Sequence, residues 1–210
     1  MGGINISDIH LVNPYEGFDH KKYPLDVQGW NGEEPLFKHF IGELKPSLII
    51  EVGTWKGQSA LFMADYVRSM GFQTKILCVD TWLGSIEHLT FPEMLMPVNG
   101  YPTIYYQFIA NVKHASFENV IIPFPQTSTE AARWLKQKGI IAQLIYLDAS
   151  HTEDDLYSDM NNYWELLSEG GIMVGDDLSD SYPGVRAAVE RFCAERGVSF
   201  TGENKWVIRK

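Results

Sequence analysis

The residues best equipped for chemistry are carboxylates, each set just behind a short apolar run. Glu51 follows Leu48 to Ile50, Asp80 follows Lys75 to Val79, Asp148 follows Leu144 to Leu147, and Asp176-Asp177 follow Ile172 to Val174. One acidic residue at a strand end is often only a turn former or a helix cap. Several in one chain mean more, because a parallel sheet delivers all of them to its carboxyl edge, and like charges gathered there need cations to offset them. Asp148, Asp176 and Asp177 offer hard oxygen ligands, and His151, three residues beyond Asp148, sets an imidazole beside them. Such a site suits Mg2+, which keeps room for water and substrate oxygens. A divalent ion on a substrate hydroxyl lowers its pKa, and a nearby histidine can then remove the proton near neutral pH. The plainer alternatives are that His151 bonds Asp154 or Asp155 at a helix start, and that Asp176-Asp177 form a turn approaching a helix.

The stretch Glu51-Val52-Gly53-Thr54-Trp55-Lys56-Gly57-Gln58-Ser59 has the form of a first strand handing over to a first helix, where open α/β sheets bind ligands. A dinucleotide site wants G-x-G-x-x-G so that backbone can press against a pyrophosphate. Here Trp55 stands where the second glycine is needed. A cationic ligand without phosphate, such as S-adenosylmethionine, suits a loop with Glu51 in its turn. Asp80, 27 residues after Gly53, is placed to accept from ribose hydroxyls, or else to cap the turn at Thr81. Gln126-Thr127-Ser128 follows a third strand and reads equally as an adenine contact or as a cap formed by Ser128 for the next helix.

These residues need a scaffold, and the hydrophobic periodicity supplies one. Strands are expected at Leu48 to Val52, Lys75 to Val79, Val120 to Phe124, Leu144 to Leu147 and Ile172 to Val174. Helices are expected at Pro35 to Leu44, Gln58 to Met70, Thr103 to Ala115, Ser128 to Lys138, Asp154 to Glu169 (stopped by Gly170-Gly171) and Gly184 to Arg196, with a hairpin over Val198 to Arg209. This pattern predicts an α/β, Rossmann-like, doubly wound, mostly parallel seven-stranded sheet with an antiparallel C-terminal hairpin. Residues 1–210 read as one domain, in which 1–46 form an N-terminal arm and helix. Residues 81–115 form a lid or substrate insertion, since a long irregular loop in a compact domain usually serves function.

Composition narrows the partners. The 210 residues carry a formal charge of −10 and lack the basic clusters that nucleic-acid binding requires, so a small-molecule substrate is favoured over nucleic acid. No apolar run has the length of a membrane span, and the two cysteines, Cys78 and Cys193, lack any metal spacing, which together fit a cytoplasmic protein, open to homo-oligomer formation.

From Ser47 to about Arg196 the chain resembles the class I S-adenosylmethionine-dependent methyltransferases. Within them it resembles the metal-dependent sugar O-methyltransferases of the macrocin, mycinamicin and novobiocin types, with catechol O-methyltransferase more distant. The resemblance rests on Glu51-Val-Gly53-Thr-Trp-Lys-Gly57, Val79-Asp80-Thr-Trp82, Tyr146-Leu-Asp148-Ala-Ser-His151 and Gly170-Gly-Ile-Met-Val-Gly-Asp176-Asp177. It implies an enzyme that moves a methyl group from S-adenosylmethionine to a hydroxyl of a sugar or other vicinal diol. Asp148, Asp176 and Asp177 would hold Mg2+, and His151 would act as general base beside Asp148. Glu51, Gly53, Thr54, Gly57, Ser59, Asp80, Thr81, Gln126, Ser128 and Asp148 would contact the cofactor. A metal-independent methyltransferase of the same fold, a nicotinamide-dependent oxidoreductase and a non-catalytic cofactor-binding subunit stand as alternatives.

Overall fold

The computed structural model describes residues 4–210. Seven strands form one sheet: β1 (Leu48–Val52), β2 (Lys75–Asp80), β3 (Ile121–Pro125), β4 (Ala142–Leu147), β5 (Leu167–Gly175), β6 (Phe200–Thr201) and β7 (Trp206–Arg209). Their spatial order is β3-β2-β1-β4-β5-β7-β6, with β1 to β5 parallel and the last two strands antiparallel. The order reverses between β1 and β4, so the crevice over the carboxyl edge opens there.

Helices cover both faces, and the two-residue period of the strands decides which side chain meets which layer. Leu48, Ile50 and Val52 of β1 pack with α5 (Ser128–Gln137), α6 (Glu153–Trp164) and α7 (Pro183–Arg196). Ile49 of β1 packs on the other face with α2 (Pro35–Leu44), α3 (Gln58–Ser69) and α4 (Ile104–His114). The arm before α2 holds one short helix, α1 (Ile6–Ile9), and a 3-10 turn at His20–Lys22. Among the described residues no helix is long and apolar enough to cross a membrane. Cys78 and Cys193 are buried free thiols.

Two boundaries differ from the periodicity reading. The helix expected to run to Glu169 ends at Trp164, and Gly170-Gly171 lie inside β5 rather than stopping a helix. Leu167 continued the apolar stripe of that helix but pairs with Ala142, where a register shift toward Leu144 absorbs the irregular start of the strand. Short apolar segments fit either period, and pairing with β4 decided this one. The 81–115 segment also divides. α4 buries Ile104, Phe108, Ile109 and Val112 against the sheet and is a core helix. Only the part before it, with 3-10 turns at Ile86–Leu89 and Pro92–Leu95, rims the crevice.

Candidate active site

The loop from β1 to α3 is built by its glycines and held by Asp80. Gly53 has φ +85°, and a side chain there would lie 2.0 Å from the carbonyl oxygen of Asp148, so only glycine lets this loop cross the end of β4. Gly57, φ +89°, precedes the first turn of α3. One carboxylate oxygen of Asp80 accepts from the backbone N–H groups of Thr54 (2.9 Å) and Trp55 (2.8 Å), and the other from Trp82 N–H (2.7 Å). The Trp82 indole N–H donates to the Trp55 carbonyl at 2.8 Å, closing the clamp. Burial pushes the Asp80 carboxyl up, and the N–H groups of Trp55, Trp82 and Thr54 draw it part of the way back.

Glu51, expected in the turn, lies two residues before the turn begins at Gly53. It belongs to β1, is fully buried and, sharing parity with Ile49, faces the layer of α3. Ser59 Oγ donates to one of its oxygens and Cys78 Sγ approaches the other at 3.5 Å. Burial raises its carboxyl to about 7. Glu51 and Gly57 do not line the crevice, whereas Gly53, Thr54, Ser59, Asp80 and Thr81 do.

At the β4 and β5 ends the carboxylates part company. The Asp177 carboxylate lies 2.9 Å from His151 Nε2, and Asp177 holds φ +61°, a left-handed conformation that Asp adopts more readily than most non-glycine residues. Asp148, His151 and Asp177 each present a ligand atom within 4.8 Å of the others. That donor set, two carboxylates and an imidazole facing a crevice, fits a small divalent ion. Asp176, expected as the third metal carboxylate, is not in the group. It is buried, its Oδ2 receives the Lys205 ammonium, and its Oδ1 accepts from the Asp177 N–H at 2.8 Å. The Tyr146 hydroxyl lies 2.8 Å from Asp148 Oδ2 and 3.1 Å from Asp176 Oδ2. Burial and then the Asp176 carboxylate push the Asp148 carboxyl well above its usual range, against the opposing pull of Tyr146 and Lys205.

One cavity of about 670 Å3 joins the two rims, within the size range of small-molecule sites. Gln126 and Ser128 line it, but the helix cap is Thr127, whose hydroxyl accepts from Glu130 N–H, and Gln126 Oε1 accepts from Thr127 N–H. Ser128 instead bonds Asp159, a buried cavity residue whose carboxyl burial raises to about 6. Sequence reasoning passed over Asp159, although an acid amid Leu156, Met160 and Tyr163 on the apolar stripe of α6 was a visible signal. It also passed over Lys205, which stands in no recognisable motif, and gave Tyr146 no role although the Tyr146-Leu-Asp148-Ala-Ser-His151 motif contains it. Glu153, Asp154 and Asp155 are the first turn of α6, favoured by the helix dipole, with Thr152 as the cap. The N-terminal arm supplies a wall through Gly29 to Gly32, with Gly32 N–H on Gln58 Oε1 at 3.2 Å and Lys56 paired to Asp26 at 2.6 Å. Trp30 and His88 approach the Trp55 ring at 5.8 and 4.4 Å.

A sheet of this order, with a ligand-sized crevice where its strand order reverses, defines the Rossmann-like fold of the class I methyltransferases. The profile of a family described as a methyltransferase domain matches residues 50–178, and the chain belongs to that family. A rhamnosyl O-methyltransferase of Mycobacterium leprae is 30% identical over 151 residues, 70% of this chain and 53% of that one. The chain thus spans about half the length of that relative, and 17% of an uncharacterised protein, y4gI, of Sinorhizobium fredii that is 26% identical over 172 residues. Among solved structures, an O-methyltransferase from Bacillus cereus in complex with SAH superposes with a TM-score of 0.60 at 17% identity, covering 90% of this chain and 86% of that one. A TDP-rhamnose 3′-O-methyltransferase of calicheamicin biosynthesis gives 0.60 at 16%, covering 83% and 77%.

Proposed function

We propose that this chain transfers the methyl group of S-adenosylmethionine to a hydroxyl of a small molecule, a sugar or other vicinal diol, with Mg2+ at Asp148 and Asp177 and with His151 as general base. One observation carries the reading: a single cavity runs from the clamped glycine loop to the Asp148, His151 and Asp177 group in a methyltransferase-family chain. The rhamnosyl and TDP-rhamnose relatives support a sugar acceptor.

When bound, the donor supplies a sulfonium methyl and the ion a positive charge that acidifies a coordinated hydroxyl. The Gly53 to Trp55 loop and Thr81 hold the donor at the β1 and β2 ends, and Gln126 and Ser128 border its adenine. A carboxylate can only accept, so at the 2.9 Å contact with Asp177 the His151 Nε2 carries the proton and Nδ1 is the basic nitrogen. His151 takes the acceptor proton at Nδ1, and Asp177 stabilises the imidazolium. Phe91 and Met94 from the 81–103 segment and Trp30 from the arm narrow the mouth and exclude water, so alignment supplies much of the rate.

The test is a labelled-methyl assay against free and nucleotide-linked sugars and catechols, with and without chelator, beside melting curves with S-adenosylhomocysteine. Transfer to a sugar that stops in chelator, with a raised Tm, is expected. Undiminished transfer in chelator removes the ion and leaves metal-independent catalysis, and an unchanged Tm sinks the cofactor reading.

A further inference from the structure

Lys205 is the one element of this rim that no motif announced. It stands in the turn between β6 and β7, 7% exposed, and its position is set by its neighbour: a side chain at Gly175 would lie 2.1 Å from the Trp206 ring, so only glycine lets that indole close over the end of β5. Leu178 N–H donates to the Asn204 carbonyl at 2.8 Å and fixes the same turn from the other side. The ammonium thereby arrives against Asp176 Oδ2 and 3.1 Å from the Tyr146 hydroxyl.

The proton inventory of this group is informative. The hydroxyl of Tyr146 has one proton and two carboxylate oxygens within reach. Lys205 already serves Asp176 Oδ2, so that proton goes to Asp148 Oδ2, the nearer at 2.8 Å. Asp176 Oδ1 meanwhile takes the Asp177 N–H and lies 3.4 Å from the Asn204 amide. Both Asp176 oxygens are thus engaged by donors of the protein, and Asp148 keeps Oδ1 for the crevice. Three carboxylates and one ammonium leave two negative charges, the charge of a single divalent ion.

We propose that Lys205 is a built-in counter-cation that withdraws Asp176 from the metal ligands; it is a positioning residue, not a catalytic one. The assignment rests on the divalent ion of the proposed function. Calorimetric titration of Mn2+ alone into the full chain tests it, with S-adenosylhomocysteine melting shifts as the check that each variant keeps its fold. Affinity of such a site follows the number and charge of its direct ligands. Asp177→Asn is expected to weaken Mn2+ binding by at least about 30-fold. The double variant Asp176→Asn, Lys205→Met, which removes the buried pair together and leaves no unpaired charge, stays within about threefold of wild type. Lys205→Met alone is expected to bind Mn2+ more tightly than wild type, because Asp176 is released to the ion as a further carboxylate ligand, a gain that a merely structural lysine would not produce. A double variant that loses Mn2+ as thoroughly as Asp177→Asn overturns the assignment and returns Asp176 to the ligand set. A wild type that takes up no Mn2+ while still responding to S-adenosylhomocysteine removes the ion itself, and this assignment with it.

Discussion

At the β1 and β2 end of the sheet edge, Glu51 and Asp80 are engaged by donors of the protein: a serine hydroxyl, a thiol and three backbone N–H groups. At the β4 and β5 end, Asp148 and Asp177 keep oxygens turned to the crevice beside His151, while Asp176 is taken by Lys205. Asp80, Asp148 and Asp176 stand at one level of the strand ends, with Glu51 two residues further back in β1. What separates the two ends is the supply of internal donors. A carboxylate whose oxygens are bonded inside the protein builds the loop that holds a ligand, and one with an oxygen left over can meet the ligand itself. Position at a strand end therefore locates a site without saying what each acid does in it.

The largest expected effect lies at the open end. Asp177→Asn should lower kcat about 1000-fold by releasing both the His151 orientation and one ion ligand, yet leave the melting shift with S-adenosylhomocysteine nearly intact. Loss of both in proportion would erase the distinction between the two ends. At the engaged end Asp80→Ala should do the reverse. It strips the acceptor from three backbone N–H groups, costing about 3 kcal/mol in urea unfolding and weakening S-adenosylhomocysteine in calorimetry. Unaltered stability would show that the clamp is not structural.

A pH series sharpens the comparison further. The carboxyl of Glu51 rises from 4.5 to about 7 on folding, so the native state holds a proton that the unfolded chain releases. The resulting stability is complete below about pH 4.5 and is lost as pH climbs through 7, an upper bound of about 3 kcal/mol. Glu51→Gln, which cannot ionise, should gain on wild type by up to that amount between pH 5 and 8 in denaturant unfolding; a constant difference would place the titration elsewhere. The smallest effect concerns the cap of α6 beside the site. Thr152→Ala removes the α6 cap whose hydroxyl accepts from Asp155 N–H, costing about 1 kcal/mol while Mn2+ affinity holds.

Much of the scaffold was legible because burial writes itself into periodicity. The apolar runs of β1, β2 and β4 and the stripes of α2 and α3 could be placed within a residue or two, since each had one face or both to hide. β5 was legible only at Ile172 to Val174, because Leu167 fits a helix as well as a strand until β4 is there to pair with it. In the site, Asp148, His151 and Asp177 could be gathered from motifs. Asp176 could not be separated from its neighbour, because adjacent acids in a sequence look alike until the backbone turns them apart.

The amino-acid order alone determined that strands and helices alternate, that Gly53 turns the first loop, and that acidic side chains collect at one edge, since these follow from local sterics and period. Tertiary structure alone decided which oxygens were spent. A lysine from the last hairpin, brought across by the fit of Trp206 on Gly175, and backbone N–H groups from the first loop reach acids far away in the chain. Hydrogen bonds between distant residues depend on where the chain returns in space, and no local pattern encodes that.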